Sequence, residues 1–371
     1  MFFQYAIDAH ITLELQSPFH AQPLFDLVYP NRKFIGEHLN CAKRIHDVDD
    51  MQHYLRRDLL GMADERRWAW LIRYDGEVAG RIGLSITVPA LQECELFYFL
   101  GEQFTGRGII TKATKIVTDF AVNVLGIEHI LIAFTTENEK SGAVPKRLGF
   151  SYEYTMRDAE LHDGEWRTLH FWGILAKDWQ STIKPTFDYQ LAPHLTLRLY
   201  QPYQAAEKFA VLRDNQTEFS QWFWWANDTF TLAKERDIVR RILKRYMKQS
   251  AMSVTIWQNQ KLIGHASLSI DMSNNGGNVG YWLDYRARGQ GIMTQTVRAL
   301  FDSAFTIYSV ERMRILAAKD NIGSRAIAER LGMQLELVQR DETIIGGQFI
   351  DHVQYSLLRD EWKEKQAKQE Q

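Results

Sequence analysis

The chain is poor in cysteine, and that scarcity is the first constraint on it. Only two of 371 residues are cysteine, Cys41 and Cys94, which excludes a disulfide framework and points to a reducing compartment. Neither sits in metal-ligand spacing, so both are expected as packed thiols and no metal is expected. Long hydrophobic runs are missing as well. No stretch approaches the roughly 20 apolar residues that cross a bilayer, and residues 1–15 carry Asp8, His10 and Glu14 where a secretory leader needs an apolar segment. A soluble, cytoplasmic protein without a membrane partner is the expectation. An excess of one charge is also lacking. The 44 Lys and Arg against 46 Asp and Glu leave a formal net charge of -2, which argues against a surface tuned to nucleic acid, so no direct nucleic-acid binding is expected.

What is present is ample apolar material, 45% hydrophobic with 12% aromatic, in a chain long enough for two or three domains of roughly 150 residues. It repeats itself. Tyr98-Phe99-Leu100, followed by Gln103-Phe104-Thr105-Gly106-Arg107-Gly108-Ile109, lines up with Tyr281-Trp282-Leu283, followed by Arg286-Ala287-Arg288-Gly289-Gln290-Gly291-Ile292, at an offset of 281 − 98 = 183. The same offset carries Glu128 onto Glu311, Asn138 onto Asn321, Ser141 onto Ser324, Leu148-Gly149-Phe150 onto Leu331-Gly332-Met333, Gly164 onto Gly347 and Trp179 onto Trp362. Upstream it drifts by one, with Gly80 matching Gly264, as a change in hairpin length produces. Solenoid repeats run to about 20–50 residues, so this period means duplicated domains. They are expected at 1–180 and 190–371, joined by a polar connector with Ser181, Thr182, Lys184, Pro185 and Pro193 near it.

Each half reads as the same alternation of elements. In the first, a strand at Ile11–Leu15 precedes helical stretches over 21–32 and 47–61. Trp68, Trp70 and Ile72 alternate as a strand face, Asp75-Gly76 makes a hairpin turn, and further strands cover 78–86 and 95–100. After the glycines, Ile109, Ala113, Ile116, Val117, Phe120, Ala121 and Val124 recur at helical spacing. A strand at 129–134, a short helix from Ser141 and two closing strands around Tyr152 and 169–175 complete the half. The second half repeats this, with Ile292, Val297, Leu300, Phe301, Ala304 and Phe305 on its helix. The fold class is α/β (α+β), with a mixed sheet of about seven strands per half.

A strand running into Gly-x-Gly and then a helix aims several unpaired backbone amides one way, which suits a phosphate. Arg107, Arg286 and Arg288 add positive charge. A Walker A loop needs a lysine after the last glycine, and neither copy has one. A dinucleotide fingerprint needs a third glycine where Thr111 and Thr294 stand, and Glu128 lies at the wrong end of its strand to bind a ribose.

The remaining motif is carried by Gln103-x-x-Gly106-x-Gly108 and Arg286-x-x-Gly289-x-Gly291. With Gly280-Tyr281-Trp282-Leu283-Asp284, Asn321-x-x-Ser324 and Glu329-Arg330-Leu331-Gly332-Met333, it resembles the GNAT-superfamily N-acetyltransferases in tandem. The second half is particularly similar to the RimJ/RimL type that acts on ribosomal-protein N-termini. The resemblance covers nearly the whole chain and implies two mostly antiparallel sheets flanked by helices. Acetyl-CoA (coenzyme A) is then the cofactor. Its pyrophosphate would lie on the turns Gln103 to Ile109 and Arg286 to Ile292, and its pantetheine along Phe99-Leu100 or Trp282-Leu283. The resemblance also implies that Asn138 and Asn321 bind the cofactor and that Ser141 and Ser324 protonate the departing sulfur. An ordinary N-cap is the competing reading of both serines. For the general base, Glu95 and Asp284 are the candidates, beside a solvated strand-end role or a water chain.

The implied reaction is direct acetyl transfer to an amine, from a protein N-terminus or a small molecule, without a covalent intermediate. Two other readings stand beside it: one copy binds acyl-CoA without catalysis and supports the other, or the chain is a plain nucleotide-binding module. The halves differ at Pro145, at Glu137 against Asp320, and at Phe99-Leu100-Gly101 against Trp282-Leu283-Asp284, which makes the second half the better match. Trp222-Phe223-Trp224-Trp225 is read as core or domain interface, with an acceptor site or an oligomer contact as the alternative. Residues 237–248 form a basic amphipathic helix, read as a solvated face, with an acidic or RNA-associated acceptor as the sharper possibility.

Overall fold

The computed structural model describes residues 1–227 and 230–369. They divide into two compact units, Phe2–Phe187 and Asp188–Gln371.

In the first unit a sheet of eight strands runs β1 (Gln4–Ala6), β2 (Ile11–Leu15), β3 (Arg67–Tyr74), β4 (Glu77–Val88), β5 (Glu93–Leu100), β6 (His129–Thr135), β8 (Glu165–Leu175), β7 (Ser151–His162) from edge to edge. All neighbours are antiparallel except β5 and β6. The strand beyond the seven expected is β1, whose three residues are too few to show periodicity in sequence. Trp68, Trp70 and Ile72 are buried as expected, but so are Ala69 and Leu71 between them. Helices cover this strand on both faces, so alternation alone understates its burial. Phe187 stacks its ring 5.0 Å from Trp70 and 5.6 Å from Phe120, which ties the end of the unit to its core.

The helices are α1 (Ala21–Val28), α2 (Arg32–Gly36), α3 (Asn40–Lys43), α4 (Val48–Ala63), α5 (Ile109–Asn123) and α6 (Glu139–Arg147). The stretch expected as one helix over 21–32 breaks after Val28 and resumes at Arg32. Helix α4 starts where Asp47 accepts the Asp50 amide at 2.8 Å as its N-cap.

The second unit repeats the plan with β9 (Tyr189–Ala192), β10 (Leu195–Leu199), β11 (Ala251–Gln258), β12 (Lys261–Asp271), β13 (Gly276–Leu283), β14 (Arg312–Ala318), β15 (Gln334–Ile345) and β16 (Gln348–Leu358). Their order is β15-β16-β14-β13-β12-β11-β10-β9. Its helices are α7 (Ala205–Asp214), α8 (Gln216–Phe219), α9 (Leu232–Met247), α10 (Ile292–Thr306), α11 (Ile322–Arg330) and α12 (Arg359–Gln369). The basic helix is α9, which buries Val239, Leu243 and Tyr246 and exposes Arg241, Lys244 and Arg245.

One irregularity positions everything that follows. Strands β5 and β6 pair in parallel only from Glu93 to Leu96, after which β5 runs on to Leu100 bonded to β4 alone. In the second unit β13 pairs with β14 only over Gly276, Gly277 and Asn278 and then continues to Leu283. Each sheet therefore opens into a V whose exposed arm carries unpaired backbone groups. No described helix is long and apolar enough to cross a membrane. Cys94 is buried, which pushes its thiol above the ordinary range, and Cys41 is half-buried 3.9 Å from the Tyr54 hydroxyl.

Candidate functional site

Each open arm ends in a glycine turn. Gly106 and Gly108 have φ of +77° and +72°, and Gly289 and Gly291 have +80° and +73°. A Cβ on Gly106, Gly108 or Gly289 would meet nothing within 4 Å. Glycine is required by its left-handed backbone, and the space above it is open. Gly108 and Gly291 are the N-caps of α5 and α10. Among the described residues the amides of 106–111 and 289–294 donate to no backbone carbonyl, so two amide-lined concavities face outward. Their fit to a diphosphate is a matter of geometry.

In the second unit the turn, the open arm and α11 enclose one cavity of about 1190 Å³. Arg288, Gly289, Gly291 and Ile292 line one end, and Trp282 and Leu283 lie along the arm. Asn321 and Ser324 close the bottom, and residues 222–225, Thr343 and His352 form the far wall. The aromatic cluster thus has two jobs. Phe223 and Trp225 pack against the core residues Phe219 and Trp282, while the four together wall the cavity and Trp224 stays 60% exposed.

The residues of Asn-x-x-Ser change roles relative to the cap reading. Asn138 and Asn321 are the N-caps, accepting the Ser141 and Ser324 amides at 3.1 and 3.0 Å. The serines stand at the third helical position. Asparagine caps as well as serine does, and its use leaves the serine hydroxyls free for another partner. That partner is a tyrosine in both units. Ser141 Oγ donates to the Tyr98 hydroxyl at 3.2 Å, and Ser324 Oγ shares a hydrogen bond with the Tyr281 hydroxyl at 3.0 Å. Burial pushes both tyrosines up to about 12, with the serine contact opposing it, so both stay protonated, and each hydroxyl donates to the backbone carbonyl of its serine, at 3.2 Å from Tyr98 and 3.3 Å from Tyr281. Sequence reading used Tyr98 and Tyr281 only as repeat markers; their identical 43-residue spacing to the serines is the signal it passed over.

Asp284 is placed elsewhere. It does not line the cavity and grips Arg286 through Nε at 2.9 Å and Nη2 at 2.6 Å, while its Oδ1 accepts the Arg286 amide at 3.0 Å. Burial pushes its carboxyl up, but these bonds outweigh that and hold it below the usual range, which suits a turn-former better than a base. Ala287 is buried, and Gln290 accepts from Gln258 at 3.0 Å. In the first unit Arg107 reaches back to the Gln103 carbonyl at 3.3 Å, Thr105 Oγ1 donates to the Glu102 carbonyl at 2.8 Å, and Phe104 and Ile109 are buried. Phe99 and Leu100 lie at the end of the open arm. Two asparagines that sequence reading missed hold the turns, Asn31 accepting the Glu102 amide at 2.9 Å and Asn215 the Tyr285 amide at 3.0 Å.

Comparison with known proteins decides the family. The acetyltransferase (GNAT) domain is matched twice, over residues 11–151 and 194–334. The chain belongs to the GNAT acetyltransferases. The putative ribosomal N-acetyltransferase YdaF of Bacillus subtilis (strain 168) is 30% identical over 184 residues, 48% of this chain and 98% of that protein. The ribosomal-protein-serine acetyltransferase of Escherichia coli (strain K12) is 24% identical over 144 residues, 38% of this chain and 79% of that protein. A crystal structure of a probable acetyltransferase is similar at 30% identity and a TM-score of 0.46, covering 47% of this chain and 99% of its own.

The two GNAT units differ at several titratable positions. In the first, burial raises Glu95 above the ordinary carboxylate range; Arg67 opposes this, while Glu160 and Glu93 add to it. At the offset of 183, Glu95 becomes Asn278 and Glu160 becomes Thr343, which lines the second cavity. The second unit has His352 and Asp320 on its cavity, and the residues matching them in the first are Leu169 and Glu137.

Proposed function

We propose that both units transfer acetyl groups from acetyl-CoA to amines, each through its own cleft and each with its own acceptor. The observation that carries this is the joining, in one cavity of the second unit, of free turn amides, an unpaired strand arm and Ser324, whose hydroxyl meets that of Tyr281. The first unit repeats the same turn, arm and Tyr98–Ser141 pair. Acetyl-CoA supplies a thioester whose leaving thiolate has a conjugate acid near ~8.5 and so takes a proton readily.

The chain's own residues supply the rest. Amides of 106–111 and 289–294 hold the diphosphate, and the unpaired arms at Phe99-Leu100 and Trp282-Leu283 orient the pantetheine. Ser141 and Ser324 deliver a proton to the sulfur and recover one from water, their hydroxyls held in place by Tyr98 and Tyr281. Asn138 and Asn321 fix the serines and keep their side-chain NH₂ groups for the coenzyme. In the first unit Glu95 takes the amine proton. The second unit's aromatic wall and Asp320 suit an amine borne on an apolar or planar group, because an ammonium gains from both. A protein N-terminus and a small-molecule amine both meet this description.

The test is release of CoA from acetyl-CoA with a panel of peptide and small amines. No release with any amine overturns the proposal. Ser324→Ala is expected to lower the second unit's kcat about a hundredfold with coenzyme affinity unchanged, and Ser141→Ala to do the same in the first. A second expectation concerns pH. Glu95 acts only when deprotonated and its pKa is raised, so first-unit activity falls as pH drops through that raised value, above the ordinary carboxylate limb. Glu95→Gln removes this limb and lowers the rate by about 10² or more. An unchanged profile in that variant would assign the base elsewhere.

A further inference from the structure

The second cavity has a neighbour that the proposed reaction does not use. A smaller hollow of about 270 Å³ adjoins it and shares two wall residues, Arg298 of α10 and Arg330 of α11. Its outer wall is α12, which contributes Lys365 and Lys368. Among the described residues four cations line the hollow and no carboxylate does. Like charges gathered around one concavity repel each other, and a bound anion of high charge relieves that repulsion.

The hollow is built, not a loose tail lying on the surface. Trp362 is buried on α12, packs 5.8 Å from Phe301, and donates to Asp302 Oδ1 at 3.0 Å, while Gln366 donates to the same oxygen at 3.2 Å. Asp302 is the nearby carboxylate that also acts on Arg298, but it lies behind the wall. With the helix so anchored, Lys365 is laid across Gly332; a Cβ there would come within 2.5 Å of its Nζ. The first unit has no counterpart. Its matching Gly149 faces open space, no helix follows Trp179, and the positions matching Lys365 and Lys368 are Thr182 and Pro185. Lys115 and Arg147 match the two arginines, and Lys115 is paired with Asp119 at 3.2 Å.

We infer that α12 makes this hollow a site for the 3′-phosphomonoester of coenzyme A, in the second unit only. The inference rests on the acetyl-CoA reading above. A ligand whose diphosphate sits on the amides of 289–294 meets the Arg298 and Arg330 wall next, and a further anionic group on its ribose reaches the lysines. A phosphomonoester carries about −1.5 to −2 charge near neutral pH and accepts charge-assisted hydrogen bonds from lysine and arginine. Coenzyme A has this group, whereas its 3′-dephospho form and common dinucleotides lack it.

The experiment titrates acetyl-CoA and acetyl-3′-dephospho-CoA into the full chain carrying Gly108→Val, so that the second site is read alone, with Gly108→Ala as the substitute if valine disturbs folding. The dephospho compound is expected to bind about tenfold more weakly. Lys365→Glu with Lys368→Glu is expected to bring acetyl-CoA down to that level and leave the dephospho affinity within about twofold. Equal affinity for the two compounds in the parent, or equal weakening of both by the double substitution, overturns this inference and leaves the acetyl-CoA reading standing. Binding of neither compound overturns both.

Discussion

Valine in place of Gly291 abolishes coenzyme binding at the second unit and leaves the first unit's site intact. Gly291 is the N-cap of α10 at φ +73°, where a β-branched residue costs about 1–3 kcal/mol of backbone strain. Strain is only part of the effect. The side chain would stand at the start of α10, among the amides of 289–294, and block the approach of an anion to donors that bond no backbone carbonyl among the described residues. Since each 1.4 kcal/mol is about tenfold in affinity, the combined loss is expected to exceed about a hundredfold. Calorimetry on the full chain then counts one acetyl-CoA site where the parent has two. Gly108→Val removes the other site, and the two substitutions together remove both. Two sites of unchanged affinity in Gly291→Val would show that the turn does not hold the diphosphate.

That turn was legible in the sequence because its chemistry is local. Two glycines at fixed spacing between a strand and a helix state the backbone conformation, and the second copy in register adopts the same one. The contacts that shape the rest of the site are long-range. Whether β13 stays bonded to β14 beyond Asn278 depends on register between residues 36 apart in the chain, 314 − 278 = 36, and no local pattern records it. The Tyr281–Ser324 pair spans 43 residues. In Asn-x-x-Ser both residue types cap helices, so spacing could not say which one caps and which one keeps a free hydroxyl. Asp284 shows the converse: a strand-end carboxylate beside a cavity motif invites a catalytic reading, and only the geometry of Arg286 reveals a turn clamp.

The differences between the units carry as much information as their likeness. Both keep the turn, the open arm and the hydroxyl pair. They diverge at Glu95 and Asn278, at Glu160 and Thr343, and at Leu169 and His352. On the proposed reading, units that share their donor machinery and differ at these positions are expected to differ in what they acetylate.

The largest stability effect is expected from Asp58→Ala in the first unit. Asp58 on α4 is buried and meets two inward-lying guanidiniums, that of Arg81, which is itself fully buried, and that of Arg67 at 2.6 Å, with the exposed Arg57 a third at 3.6 Å. Gln16 Oε1 accepts from Arg81 at 3.0 and 2.8 Å, and the Tyr54 hydroxyl accepts at 2.7 Å. Alanine strands both cations next to an apolar core, a change that costs about 3–5 kcal/mol. The second unit solved the same position differently. His265 replaces Arg81 and Ile242 replaces Asp58, burial holds His265 well below its usual pKa, with Lys208 adding to this, and the buried ion pair is Lys208 with Glu235 at 2.6 Å. Calorimetric melting of Asp58→Ala should therefore lower one transition by on the order of 10 °C, at about 2–4 °C per kcal/mol for a unit of this size, and leave the other in place. Arg81 and Arg67 both stack on Phe97, at 5.2 and 4.1 Å, and Phe97 is the first residue of β5 after its pairing with β6 ends. The buried charges thus brace the strand at the point where the sheet opens. Below its own melting temperature the variant is expected to lose coenzyme affinity at the first site and keep it at the second; equal loss at both sites would mean that the network does not act on the cleft.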